Sequence, residues 1–100
     1  LLFFSNIASA INIDNCSNLN QAGGQYYLTA NIFNSSNKKC MNITADNVLL
    51  DCQGYTIDGI DTSQTPGVYA NQSNTTVRNC VVTDWGYGIY YSGCFDNPAA

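Results

Sequence analysis

One hundred residues are enough for one small domain. With 45% hydrophobic but only 10% charged residues, the chain is neither a disordered tail nor a coiled coil. Three Lys and Arg against seven Asp give a formal charge of −4, which argues against a nucleic-acid partner: Lys38-Lys39 is the single cationic pair. No apolar run reaches the length of a spanning helix, so no transmembrane segment is expected. The lack of His removes the commonest general base and the commonest transition-metal ligand. Fourteen Asn, eight Gly and seven Tyr with no Glu make a poor helix-forming set and a fair strand-and-turn set. The expected class is all-β.

Residues 1–10 read as the tail of a secretory signal peptide, with Ala8-Ser9-Ala10 as the small-x-small cleavage site after an apolar stretch. The competing reading is an apolar first strand. On the signal reading the mature segment is 11–100, and the chain starts inside its own leader as a fragment of a longer protein. Residues 11–24 are expected to form an N-terminal cap tied by Cys16, and helix should be nearly absent, 17–21 being the one place with room for a short turn of it. Further along, no apolar i, i+3, i+4, i+7 pattern lasts three turns. Short runs of β formers follow instead: Tyr26-Tyr27-Leu28, Val48-Leu49-Leu50, Tyr55-Thr56-Ile57, Val68-Tyr69, Thr76-Val77, Val81-Val82 and Ile89-Tyr90-Tyr91. Gly, Asn, Asp or Ser punctuate most of them.

Internal comparison gives these runs an order. Asn47-Val-Leu-Leu50 overlays Asn74-Thr-Thr-Val77, and Gly67-Val68-Tyr69 overlays Gly88-Ile89-Tyr90. Strands that keep their order while turns vary in length are the mark of a solenoid with insertions at its corners. The stretch from Ala45 through Asp51-Cys52-Gln53-Gly54 to Gly59, and the stretch from Asn74 through Arg78-Asn79-Cys80 to Tyr90, resemble coils of right-handed parallel β-helix proteins. These belong to the pectin-lyase-like superfamily, and the version here is similar to archaeal-type secreted or cell-surface proteins. The resemblance spans Cys16 to Cys94. It implies a right-handed single-stranded parallel β-helix of three short parallel sheets and about three to four coils. Leu50 should stack near Val77, Ile57 near Val82 and Val68 near Ile89, with Asp51 facing outward and Asn79 in a corner ladder of amides.

The five cysteines suit an oxidising compartment, and the absence of Cys-x-x-Cys and His argues against zinc or thioredoxin chemistry. On the β-helix frame Cys16 and Cys40 fall in the opening region, where a bridge would close a loop of about 25 residues. Cys52 and Cys80 follow equivalent strands, either bridged or simply buried. Cys94 is left over. Sequons at Asn15, Asn34, Asn42, Asn71 and Asn74 mark acceptor positions for glycosylation.

Carboxylates are the remaining source of chemistry. Lyases of the superfamily hold Ca²⁺ with Asp clusters on adjacent coils, and Asp58 and Asp84 could meet across one rung, with Arg78 as the only strand cation. Polar turn residues of a solvated solenoid are the plainer reading, so no catalytic residue, metal or cofactor is assigned. Tyr69, Trp85, Tyr87 and Tyr90 are candidates for stacking on sugar rings, or for a simple aromatic ladder. Two functions stay open. One is a non-catalytic structural or carbohydrate-contacting module of an exported cell-surface protein, with polysaccharide or surface glycans as partners. The other is the N-terminal part of a polysaccharide lyase or glycoside hydrolase whose catalytic coils lie downstream. Too few residues follow Tyr91 for another coil, so continuation past Ala100 and end-to-end self-association through the last rung are expected.

Overall fold

Left-handed backbone marks where this chain changes direction. Asn34, Asn47, Gln53, Asp61, Gln64, Asn74, Asn79 and Asp84 all have φ between 53° and 63°. Asn and Asp tolerate that region because their short polar side chains bond locally, so four of the fourteen Asn serve as corner residues. The protein is described by a computed structural model covering residues 10–92.

Among the described residues ten strands of three to five residues lie between the corners, with no helix. They are β1 (Ala10–Ile13), β2 (Ser17–Leu19), β3 (Gln25–Leu28), β4 (Met41–Ile43), β5 (Leu49–Asp51), β6 (Thr56–Asp58), β7 (Pro66–Ala70), β8 (Thr76–Arg78), β9 (Val81–Thr83) and β10 (Tyr87–Tyr91). The first sheet runs β1-β3-β5-β8, the second β2-β4-β7-β10, and the third β6-β9. A parallel bridge from Ile32 to Ile57 extends the third. Every pairing is parallel. The chain visits the first, third and second sheets in turn, so it winds as a β-solenoid of about three turns, preceded by a short opening coil of β1 and β2. Steps along the first sheet are 24 residues from Tyr26 to Leu50 and 27 from Leu50 to Val77.

Parallel register sets like side chains one above another, and the inward columns make the core. Tyr26, Leu50 and Val77 form one; Met41, Val68 and Ile89 another; Ile57 and Val82 a third. Met41, Leu50, Ile57 and Val68 are fully buried. On the last coil the cover thins: Val77 and Val82 are half-buried and Ile89 is 54% exposed.

The stacking of Leu50 on Val77, Ile57 on Val82 and Val68 on Ile89 matches expectation. Helix is absent among the described residues, also as expected. Residues 17–21 hold no helical turn. β2 is extended because the Ser17 N–H donates to Cys40 O and the Thr44 N–H to Leu19 O, while Leu19 closes the core beneath Ile43. Residues 11–24 thus hold the opening coil, at the edge of the first and second sheets. Asp51 faces outward, opposite the fully buried Leu50, yet is covered by the side chains of the coil above. The leader reading falls on residues 1–9, outside the described residues, while Ala10 opens β1.

Two disulfides stitch neighbouring coils, Cys16–Cys40 and Cys52–Cys80. Cys94 lies outside the described residues. Each closes a loop of 24 or 28 residues, for which chain entropy contributes roughly 2–4 kcal/mol. The replacement of both Cys52 and Cys80 by Ala should lower stability by about that amount. Urea denaturation of the variant and parent checks it, and coincident curves would show the second bridge to be without structural weight.

Trp85 is wedged at the corner between the third and second sheets. Its indole N–H donates to Ile57 O at 3.1 Å. A Cβ at Gly59 would lie 2.6 Å from Asp84 O and 2.7 Å from the Trp85 ring; one at Gly67 would lie 2.6 Å from a Val82 methyl. Backbone cannot retreat as a side chain can, so Gly59→Ala is expected to cost about 1–3 kcal/mol. Thermal denaturation should read this as a fall in Tm of several degrees, and an unchanged Tm would mean the corner has slack.

Candidate functional site

The outer face of the second sheet carries one continuous column. Asn18 pairs in register with Asn42, Asn42 with Tyr69, and Tyr69 with Tyr90. These residues point away from the core because Leu19, Ile43, Val68 and Ala70 beside them point in. The lower half is an amide ladder: Asn42 Nδ2 donates to Asn18 Oδ1 at 3.2 Å. The upper half is aromatic. The Tyr69 and Tyr90 rings lie 5.6 Å apart with a 38° tilt, and Tyr87 stacks on Tyr90 at 5.1 Å and 19°. Lys39 Nζ sits 4.2 Å from the Tyr69 ring centroid, where a cation meets the negative face of the ring. At the change from amides to rings, Asn42 Oδ1 is buried with no partner, since the next rung offers an aromatic instead of another donor.

Of the four aromatics singled out in the sequence, Tyr69, Tyr87 and Tyr90 come together on this face. Trp85 does not join them: it is half-buried at the corner, its one donor already used. Lys39, Asn18 and Asn42 were not read as part of the site. The strands that place Asn18 and Asn42, Ser-Asn-Leu and Met-Asn-Ile, lack a β-rich composition. The available signal was the 24-residue spacing of Cys16 and Cys40, which equals the step from β2 to β4.

The carboxylates form two groups of opposite character. Asp51 accepts hydrogen bonds from Asn79 Nδ2 at 3.1 Å, the Gln53 N–H at 2.8 Å and Arg78 Nε at 3.0 Å. The Asn79 amide and the Gln53 N–H, with Arg78 adding its charge, hold the Asp51 carboxyl below its ordinary range. So stabilised an anion is a weak base, and Arg78 is engaged with it. Asn79 sits at a corner and bonds coil to coil, but to this carboxylate; the stacked amides are Asn18–Asn42 and Asn47–Asn74. A shallow groove of about 630 Å³ opens beside this group, lined by Asp51, Gln53, Gly54, Asn79, Cys80 and Val81.

Asp58 and Asp84 do meet across a rung. The Asn34 N–H at 2.8 Å and the Thr83 hydroxyl at 2.9 Å donate to Asp58 and lower it. Asp84, hydrogen-bonded to Asp58 and facing the charge of Asp61 as well, is raised. Among the described residues no group of three or more His, Cys, Asp or Glu is placed to hold a metal ion.

The sequons divide by what their carboxamides already do. Asn42 Nδ2 and Asn74 Nδ2 donate within ladders, the latter to Asn47 Oδ1 at 2.6 Å. Asn15 Oδ1 accepts the Cys16 N–H, and Asn71 Oδ1 accepts from Gln72. Asn34, Asn71 and Asn15 are exposed. No helix of the described residues is long and apolar enough to cross a membrane. Two disulfides point to an oxidising environment. No protein family, curated protein or solved structure matches the chain.

Asp51 and Asp84 respond to pH with opposite sign. Asp51 is lowered, so the stability it lends is complete above the ordinary carboxylate range and is lost as pH falls through its folded value. Asp84 is raised, so its favourable contribution is complete below that range and is lost as pH rises through its folded value. Asp84→Asn keeps a donor for Asp58 and removes the charge. It should therefore raise Tm relative to the parent at pH 7 and match it at about pH 3, below the ordinary carboxylate range. A lower Tm for the variant at pH 7 would show that the Asp84 charge supports the fold.

Proposed function

We propose that the chain is a non-catalytic β-helix module of an exported cell-surface protein, and that its outer Tyr69–Tyr90–Tyr87 face contacts glycan. The observation that carries this reading is the aromatic platform itself, with centroid spacings of 5.1 and 5.6 Å across two coils. Flat exposed rings match the apolar faces of pyranose sugars, and Lys39 and the nearby amides supply hydrogen-bond donors at the edge. Export is favoured by the disulfides and by the small-x-small motif at Ala8-Ser9-Ala10. Exposed sequons at Asn15, Asn34 and Asn71 suit a glycosylated protein. A relation to the pectin-lyase-like superfamily, in its archaeal-type secreted form, rests on the coil sequences around Asp51-Cys52 and Asn79-Cys80 and on the solenoid they build.

Immobilised neutral and acidic polysaccharides provide the test. The parent chain should be retained on at least one; Tyr90→Ala should weaken retention roughly tenfold, and Tyr90→Phe should preserve it. Equal retention of all three proteins would remove the ring face from the interaction. No retention on any matrix would leave a purely structural module.

A second reading has its own observation. Asp58 and Asp84 are neighbouring carboxyls pushed apart in proton affinity, a pattern that acid/base catalysis uses. On this reading the chain is the N-terminal part of a polysaccharide lyase or glycoside hydrolase with further catalytic residues downstream, and Ca²⁺ is a candidate cofactor. Incubation with pectate and Ca²⁺ should give no unsaturated product if the module reading holds. Product that disappears in Asp84→Ala would favour the enzyme.

A further inference from the structure

We propose that Asn34 is an N-glycosylation acceptor of the folded protein, and that Phe33 beside it is the ring on which the first sugar of the attached chain rests. The inference rests on the exported-module reading, since sugar transfer to Asn-x-Ser/Thr takes place outside the cytoplasm. Five sequons compete, and the fold separates them. Asn42 lies inside β4 with its Nδ2 donating to Asn18, and Asn74 donates to Asn47 just before β8. Reaching either amide requires peeling one coil from the next. Asn15 is followed by the bridged Cys16, and Ser17 of its sequon already belongs to β2. Asn71 opens the short corner between β7 and β8, where the Ser73 N–H donates to Asp46 of the coil below.

Asn34-Ser35-Ser36 differs from all four. It lies in the stretch 33–40, the longest run without strand or bridge among the described residues. The Asn34 N–H donates to Asp58 Oδ2 at 2.8 Å and the Ser35 N–H to Asp58 O at 2.9 Å, which fixes Asn34 at a left-handed corner with φ 54°. Its carboxamide and the Ser36 hydroxyl are the groups a transferase reads; both residues are exposed, and neither group hydrogen-bonds among the described residues. Phe33 follows the inward Ile32, so its side chain faces out, 65% exposed. A pyranose carries a flat row of C–H groups that packs on the face of an aromatic ring, and a sugar on Asn34 is attached one residue from that ring. The transfer balances with a polyprenyl-diphosphate oligosaccharide as donor. Asn34 Nδ2 bonds to C1 of the first sugar, the C1–O bond breaks, the diphosphate leaves with the electron pair, and the amide gives up one proton.

The test incubates the folded full chain, both bridges intact, with that donor and an oligosaccharyltransferase that needs only Asn-x-Ser/Thr. Peptide mass spectrometry follows each site with time, and short peptides carrying the same sequons correct for the enzyme's own preference. Because transfer is made on purified protein, its failure falls on Asn34, whereas failure of the exported-module reading shows in the polysaccharide retention above. Asn34 should fill first, with Asn42 and Asn74 slower by roughly tenfold or more, since they are reached only through local opening. Ser36→Ala should abolish modification at Asn34 and leave the other sites unchanged. Equal corrected rates at Asn34 and Asn42 overturn the proposal, as does a folded chain that takes no sugar at Asn34 while the matching peptide does. For the ring, the glycosylated parent should melt at a higher temperature than the bare parent. Phe33→Ala should lose that gain while melting like the parent when bare, and Phe33→Leu serves should the Ala variant lose its cooperative melt. An equal gain with and without the ring overturns the part given to Phe33.

Discussion

No coil of this protein can bury its apolar side chains alone. Three strands of three to five residues enclose too little space for a core, so each inward residue must be roofed by the equivalent residue of the next coil. Parallel register enforces this: Leu50 is sealed by Tyr26 below and Val77 above, and Val68 by Met41 and Ile89. The same register that stacks the core stacks the outside, so amides fall on amides and rings on rings without any element dedicated to placing them. A surface column is thus a by-product of core formation. Its chemistry can change from one coil to the next at small cost to the fold, as it does between Asn42 and Tyr69.

That change has a local penalty. An amide ladder satisfies each carboxamide from both sides, and its last member is left with one unmet atom. Burying Asn42 Oδ1 without a partner costs on the order of 1–3 kcal/mol. The corners recover order differently. Asn47 and Asn74 hold equivalent left-handed positions before β5 and β8 and bond to each other, so backbone geometry and inter-coil bonding come from one residue type. At the next corner the pair is a carboxylate with an amide and a guanidinium, which adds charge where the Cys52–Cys80 bridge already ties the two coils.

The later coils were legible in the sequence because their strands are written in β-branched and aromatic residues at repeating offsets. Leu50 over Val77 and Val68 over Ile89 could be read from alignment of the chain with itself. The opening coil was not. In β2 and β4 a single Leu, or Met with Ile, carries the burial, and Asn and Ser fill the remaining places, so neither propensity nor periodicity marks them. The aromatic face was half legible: alternation put Tyr69 and Tyr90 outward, but Lys39 reaches Tyr69 from an irregular segment whose path no pattern fixes. Residue type alone did not separate Trp85 from the tyrosines as a candidate ring for sugar stacking. What it fills is the space left by Gly59 and Gly67, far apart in sequence until the coil closes.

The two disulfides are not spread evenly along the stack. Cys16–Cys40 joins the opening coil to the second, and Cys52–Cys80 joins the third to the fourth. The seam between the second and third coils has only hydrogen bonds and packing, among them Gln53 to Leu28 O, the Thr56 N–H to Asn31 and the Asn34 N–H to Asp58. Under tension along the chain, the segments 16–40 and 52–80 cannot lengthen while their bridges are intact. Only residues 41–51 between them, and the two tails, can pay out. Pulled from its ends, the solenoid would therefore have two extended lengths, a short one while the bridges hold and a long one once they are reduced.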